Sequence, residues 1–194
     1  MGEKLVITPS PHIKGPRTIK KIMLCVVVSL LPACVAAVVL FGMNALLILV
    51  TSVTSAVVAE ALWQRATKQE ITIDDYSAVV TGLLLAMTLP PGVPLYVPAI
   101  GSAFAIVIAK QIFGGLGCNF VNPALAGRAF VLAAWPMSMS IAWLSPRTYD
   151  AVSSPTPLAV LKGGGTDIPG LWDLLVGNRT GSLGETSIIL LLLG

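Results

Sequence analysis

The sequence has little charge. Asp, Glu, Lys and Arg make up 11% of the 194 residues, whereas 55% are hydrophobic. A soluble domain of this size has about a quarter of its residues charged, so the composition excludes an ordinary soluble protein. Together with a mean hydropathy of +0.87, it predicts an integral membrane protein.

Histidine and cysteine are also scarce, with one and three residues. Cys25, Cys34 and Cys118 show no C-x-x-C spacing, and the first two lie in a hydrophobic run, where buried thiols are common. This spacing favours neither a metal or iron–sulfur site of the chain's own nor a disulfide framework.

Positive charge is concentrated at the start of the chain. The first 21 residues contain one acidic residue, Glu3, and five basic ones: Lys4, Lys14, Arg17, Lys20 and Lys21. Because an apolar run follows directly, we interpret the cluster as membrane-flanking and not as a nucleic-acid-binding patch. With Arg65 and Lys68 after the next apolar run, it predicts a cytoplasmic N-terminus over residues 1–21.

Apolar runs between residues 22 and 136 predict an all-α polytopic membrane protein, a transmembrane helix bundle. Residues 22–42 and 45–63 are each long enough to span a bilayer, with Glu60 near the interfacial end of the second span. The next run is broken by PPGVP into residues 78–89 and 95–109. Short, broken helices of this kind mark a buried site in transporters. The alternative is a pair of short tilted helices joined by an outer turn.

Residues 137–184 are polar and rich in glycine and proline, which predicts an extracytoplasmic loop if each broken half crosses the membrane. Residues 185–194 begin another apolar run. The helix that fits into its last seven residues is about 10 Å long and cannot cross a bilayer, so we expect the chain to be the N-terminal part of a longer protein.

The loop contains the stretch DAVSSPTPLAVLKGGG, residues 150–165. Thr156 suits a helix N-cap, Pro157 the first helical position and Gly163 the stop after the last turn. A plain structural cap explains these residue types. The same arrangement would also favour a phosphate on the Thr156 oxygen, beside free amides at the positive end of a helix.

Three motifs resemble one membrane-protein family. DAVSSPTPLA resembles the flavinylation motif shared by RnfD of the Rnf complex and NqrB of the sodium-pumping NADH:quinone reductase. FGGLGCNFVNPALAGRAF and GNRTGSLGETS resemble two further motifs of these proteins, in the same order. The resemblance implies a urea-transporter-like fold and FMN joined through its phosphate to Thr156. Ser153 and Ser154 are alternative hydroxyls, and Pro155 departs from the alanine usual in the family.

The resemblance also implies a second, non-covalent riboflavin. Its polar edges would contact Asn119, Asn122 and Arg128, although both asparagines also suit turns and caps. A further set of residues in the last motif could bind FMN or cap the next helix: Asn178, Arg179, Ser182, Glu185, Thr186 and Ser187. The spacing of Ser182 and Glu185 favours a capping box.

The function implied by the resemblance is that of a membrane subunit in an Rnf-type, ion-translocating ferredoxin:NAD oxidoreductase complex in the cytoplasmic (inner) membrane. Such a protein relays electrons coupled to Na⁺ or H⁺ transport, has no catalytic residues of its own, and depends on iron–sulfur and flavin subunits as partners. The alternatives are the NqrB component of the quinone reductase, or a non-redox channel or secondary transporter, for which the broken helices alone would suffice.

Overall fold

The computed structural model describes residues 18–69, 71–146, 156–165, 169–185 and 187–193. All the regular elements in these ranges are helical. They begin with two long helices, α1 (Ile19–Phe41) and α2 (Met43–Ala66), which are joined at Gly42. Both helices are long and apolar enough to cross a membrane, which confirms the two predicted spans and lengthens each of them.

The interrupted run forms a helical hairpin. Helix α3 (Ser77–Met87) and helix α4 (Tyr96–Ile106) are antiparallel, and α4 continues into a single π-helical segment (Val107–Gln111). The start of α3 therefore lies beside the end of the π segment, where Ser77 Oγ is 2.6 Å from Lys110 Nζ.

The turn between α3 and α4 is buried. Its backbone carbonyls find donors far along the chain: Gly184 N–H donates to Met87 O (2.8 Å), Leu183 N–H donates to Leu89 O (3.1 Å), and the Arg128 guanidinium donates to Thr88 O. The helices are short, as the alternative interpretation supposed. Their turn, however, is covered by protein, as broken backbone at membrane depth requires.

Small residues bring the helices together. The Ser52 hydroxyl of α2 donates to Gly82 O of α3 and lies 2.7 Å from Ser102 Oγ of α4. Helix α5 (Pro123–Ala134) crosses α4 where Gly127 faces the backbone of Gly101. Because α3, α4 and α5 alternate in direction, α3 begins, α4 ends and α5 begins at one end of the bundle, here called the Ser77 end.

The segment after α5 has more structure than the predicted loop. It contains α6 (Pro136–Ile141), α7 (Pro157–Lys162) and α8 (Leu171–Val176), each of six residues. Helix α9 (Ile188–Leu193) follows and packs against α1. Since Trp135, at the end of α5, contacts Tyr96, at the start of α4, this segment leaves the bundle at the end opposite Ser77.

Candidate functional site

A cavity of about 320 Å³ lies at the Ser77 end, between α1, α3 and the connection from α4 to α5. Its size is at the lower limit for small-molecule sites, and like them it combines apolar walls with a few polar groups. The residues that line it are Met23, Ser77, Val80, Thr81, Leu84, Lys110, Leu116, Asn119, Asn122 and Pro123.

Two asparagines form one polar side of the cavity. Asn122 caps α5, because its Oδ1 accepts hydrogen bonds from the backbone N–H groups of Ala124 (3.0 Å) and Leu125 (3.4 Å). Asn119 Nδ2 donates to Val121 O at 3.0 Å within a turn. The capping and turn roles predicted for these residues are therefore confirmed. Those bonds use one atom of each amide, and the other amide atom, Asn122 Nδ2 or Asn119 Oδ1, can serve a ligand.

The connection before Asn119 depends on glycine. Gly114, Gly115 and Gly117 have φ values of +109°, +89° and +90°. Side chains rarely adopt these conformations, whereas glycine does so at little cost. The tight path they allow carries Leu116 and Asn119 back over the end of the π segment to the cavity.

A buried ion pair stands behind the cavity wall. Lys110 Nζ lies 2.6 Å from Glu60 Oε1, and the two side chains are 2% and 1% exposed. Glu60 Oε1 also accepts hydrogen bonds from Gln111 Nε2 (2.7 Å) and Gln64 Nε2 (3.3 Å). The sequence interpretation placed Glu60 near the interface, which is wrong: the end of α2 is covered by the π segment and the start of α3.

Sequence reasoning also missed Lys110. It is a lone charge at the end of an apolar run, where the position suggests an interfacial residue. Only the pairing of α2 with the π segment, 50 residues later in the chain, brings this ammonium group to Glu60.

Arg128 is separated from the two asparagines. Its guanidinium donates to Thr88 O, at the far end of α3 from Ser77, and Arg128 is not among the residues that line the cavity. The side chain lies further along α5 than Asn122 and closes the buried turn instead. Of the three residues predicted to hold the riboflavin ring, the structure brings two together.

Thr156 is half-buried and caps α7, its Oγ1 accepting from Ala159 N–H at 3.3 Å. The helix ends one residue later than predicted. Gly164, and not Gly163, has the left-handed conformation (φ +75°). Gly164 N–H donates to Leu161 O and Gly165 N–H to Val160 O, which is a Schellman ending. Ser153 and Ser154 lie outside the described residues, as does Thr186.

The predicted capping box at the last motif does not form. Ser182 Oγ is buried without a hydrogen-bond partner among the described residues, and Glu185 N–H donates to the backbone oxygen of Ser182. The cap of α9 comes from Ser187 Oγ, which accepts from Leu190 N–H at 3.5 Å. Residues 183 and 184 instead bind the carbonyls of the α3–α4 turn, which fixes Ser182 in a turn of its own.

The other polar groups of this motif contact protein. Arg179 Nη2 donates to Glu185 O at 2.7 Å, and Asn178 Nδ2 donates to Asp173 Oδ1 at 3.4 Å. Both residues hold the connection between α8 and α9, on the segment that also carries α7.

A family model described as "NQR2, RnfD, RnfE family" matches residues 6–194. The chain belongs to this family. Its curated relatives are subunits of ion-translocating oxidoreductase complexes, and each is designated D within its complex. The chain is 47% identical over 98% of its length to that of the Na(+)-translocating ferredoxin:NAD(+) oxidoreductase complex of Acetobacterium woodii. It is 44% identical over 97% of its length to that of the proton-translocating complex of Clostridium ljungdahlii.

A third relative is the corresponding protein of the ion-translocating oxidoreductase complex of Rhodobacter capsulatus, 39% identical over 95% of this chain. The chain spans about 60% of the length of these three curated relatives. The similarity to the NQR2, RnfD, RnfE family therefore extends along almost all of the chain and includes both the cavity and α7.

Proposed function

We propose that this chain is part of the RnfD component of an Rnf-type, ion-translocating ferredoxin:NAD oxidoreductase complex. The match to the NQR2, RnfD, RnfE family over residues 6–194 carries the proposal, supported by relatives that all share the designation D. The chain is not catalytic alone: it relays electrons between iron–sulfur and flavin subunits of the same complex. Relatives named for sodium and for protons are similarly identical, so the proposal covers either ion.

The first proposed cofactor is FMN, attached through its phosphate to Thr156. Support comes from the flavinylation motif, in which Thr156 holds the place of the modified hydroxyl. Its oxygen lies directly before Pro157, at the start of α7. The threonine is a tether, and its role is to keep a flavin in position through repeated turnover. Any FMN contacts of Asn178, Arg179 and Glu185 belong to the same proposal.

The proposed orientation places the Ser77 end in the cytoplasm. Basic residues support this placement: Lys20 and Lys21 are in the first turn of α1, and Arg65 and Lys68 are at the end of α2. Lys20 Nζ is 5.5 Å from the ring centre of Tyr76, just before α3. Because α5 leads away from this end, the segment with Thr156 would lie on the extracytoplasmic side.

The second proposed cofactor is riboflavin, bound without a covalent link in the cavity at the Ser77 end. The lining fits a flavin ring: Met23, Val80 and Leu84 offer apolar surface, while Asn119 and Asn122 offer an acceptor and a donor at one edge. A flavin supplies the electron-transfer chemistry that no protein side chain here provides. The chain's own residues bind, orient and shield the ring from water.

In-gel fluorescence after denaturation tests the covalent flavin. The full-length protein, expressed with its natural flavin transferase, is expected to give a fluorescent band that Thr156→Val abolishes. Ser153→Ala and Ser154→Ala are the matched controls and are expected to keep the band. A native protein that gives no fluorescence would contradict the redox assignment and favour the channel or transporter alternative.

Acid extraction of the purified complex tests the cavity. Riboflavin released from the native protein is expected to fall several-fold in Asn119→Ala, which removes the free acceptor Oδ1. Asn44→Ala is the control, since Asn44 is an exposed asparagine at the opposite end of the bundle. Equal riboflavin in all three proteins would exclude the cavity as the binding site.

A further inference from the structure

The ion pair of Glu60 and Lys110 is directed with respect to the cavity. Lys110 and its hydrogen-bond partner Ser77 line the cavity, whereas Glu60 and Gln111 do not. The positive member of the pair therefore faces the cavity and the negative member lies behind it. A buried pair in this arrangement is a fixed dipole whose positive end points at the ligand space, in surroundings of low dielectric constant.

The neighbouring residues hold this dipole in place. Lys110 Nζ donates to Glu60 Oε1 and Ser77 Oγ, both at 2.6 Å, which leaves one of its three N–H donors. Gln64 Nε2 and Gln111 Nε2 share the same carboxylate oxygen, and Gln64 is fixed in turn by Thr72. The π-helical segment directs two consecutive side chains, Lys110 and Gln111, to Glu60. π segments occur frequently at functional sites.

The far side of the carboxylate is incompletely satisfied. Glu60 Oε2 is buried and has no hydrogen-bond partner among the described residues. A buried carboxylate with a free oxygen is unfavourable, and replacing such a pair with apolar residues is often neutral or stabilising. Stability alone therefore does not explain an ion pair at this position, and a role toward the cavity does.

We propose that Lys110 is the electrostatic positioning residue of this cavity: its ammonium group, held by Glu60, favours a ligand that gains negative charge. The inference rests on the proposed function, in which that ligand is the non-covalent flavin. When a reduced iron–sulfur or flavin carrier of the complex delivers one electron to the cavity, the added negative charge is nearer to Lys110 than to Glu60. Lys110 thereby raises the midpoint potential for that electron.

The test is a redox titration of the dissociable flavin in the purified complex. Lys110→Met is expected to make one-electron reduction at least tenfold less favourable, a shift of about 59 mV to lower potential. Glu60→Gln removes the negative end only, so it is expected to shift the potential upward. Lys110→Arg keeps the charge and is expected to stay near the native value. The covalent FMN, on the segment that leaves the opposite end of the bundle, serves as an internal reference that none of the variants moves.

Opposite shifts in the two charge variants distinguish this role from a purely structural one, since a misfolded cavity would change both in the same direction. Unchanged flavin potentials in Glu60→Gln and Lys110→Met, or shifts of equal sign, would overturn the inference and leave the proposed function intact. If Lys110→Met does not fold, Glu60→Gln and Lys110→Arg decide. A native complex without any dissociable flavin would overturn the proposed cavity cofactor, and this inference with it.

Discussion

Replacing Gly127 with alanine perturbs the contact between α4 and α5 at one point. A Cβ atom at position 127 would lie 2.9 Å from Gly101 O and 2.9 Å from Ala105 Cβ. Neither atom can rotate away, because the first is helix backbone and the second is attached directly to it. The helices must therefore separate by roughly 0.5–1 Å, which forfeits a quarter to a half of each van der Waals contact between them.

The expected cost is about 2 kcal/mol, within the range of roughly 1–3 kcal/mol for an extra methyl group in a packed core. Part of it comes from Phe104 and Phe130, which stack at 4.1 Å between the same two helices. Such a pair contributes about 0.5–1.5 kcal/mol beyond its buried area. For a chain of this length, 2 kcal/mol corresponds to a fall in Tm of about 4–8 °C.

The assay is thermal unfolding in detergent, followed by tryptophan fluorescence. Trp135 is a suitable reporter, since its ring centre is 6.0 Å from that of Phe130. Gly170→Ala is the matched control: its backbone φ is −59°, and a Cβ there would meet only Asp173 Oδ2, at 3.7 Å. The control is expected to melt at or slightly above the native temperature. A Gly127→Ala protein that melts with the control would refute the close approach of α4 and α5.

The same unfolding assay checks three further substitutions. Ser182→Ala is expected to be neutral or stabilising, because it removes a buried hydroxyl without a partner among the described residues; a clear loss of stability would mean that the hydroxyl is bonded. Ser52→Ala is expected to cost about 1–3 kcal/mol, because Gly82 O and Ser102 Oγ lose their shared partner; no change would contradict that network. Asn122→Ala is expected to cost about 1 kcal/mol through the lost cap of α5 and to release riboflavin as well, and loss of neither would argue against both roles.

Much of the bundle could be predicted from the sequence because its signals are local. Uncharged runs longer than a bilayer is thick marked α1 and α2, and the breaks at PPGVP marked the ends of α3 and α4. Pairs of a capping residue and proline marked the starts of α5 and α7, at Asn122 and Thr156. Each of these signals depends on residues within a few positions of one another.

The candidate site was less predictable, because it depends on distant contacts. The Glu60–Lys110 pair joins residues 50 positions apart, and no periodicity reveals that the π segment turns Lys110 inward. Ser182 and Glu185 have the spacing of a capping box, yet the amides beside them are committed to the α3–α4 turn. Arg128 was grouped with Asn122 by sequence proximity, although the turn at Thr88 holds it further along α5.

The central proposal, a flavin held by Thr156, is tested most directly by mass spectrometry of one peptide. Trypsin cleavage after Arg147 and Lys162 releases residues 148–162 from the natively expressed, full-length protein. We expect this peptide to carry one FMN, with fragment ions that locate it on Thr156, and to be bare in Thr156→Val. A bare peptide from the native protein, or an adduct on Ser153 or Ser154, would contradict the assignment.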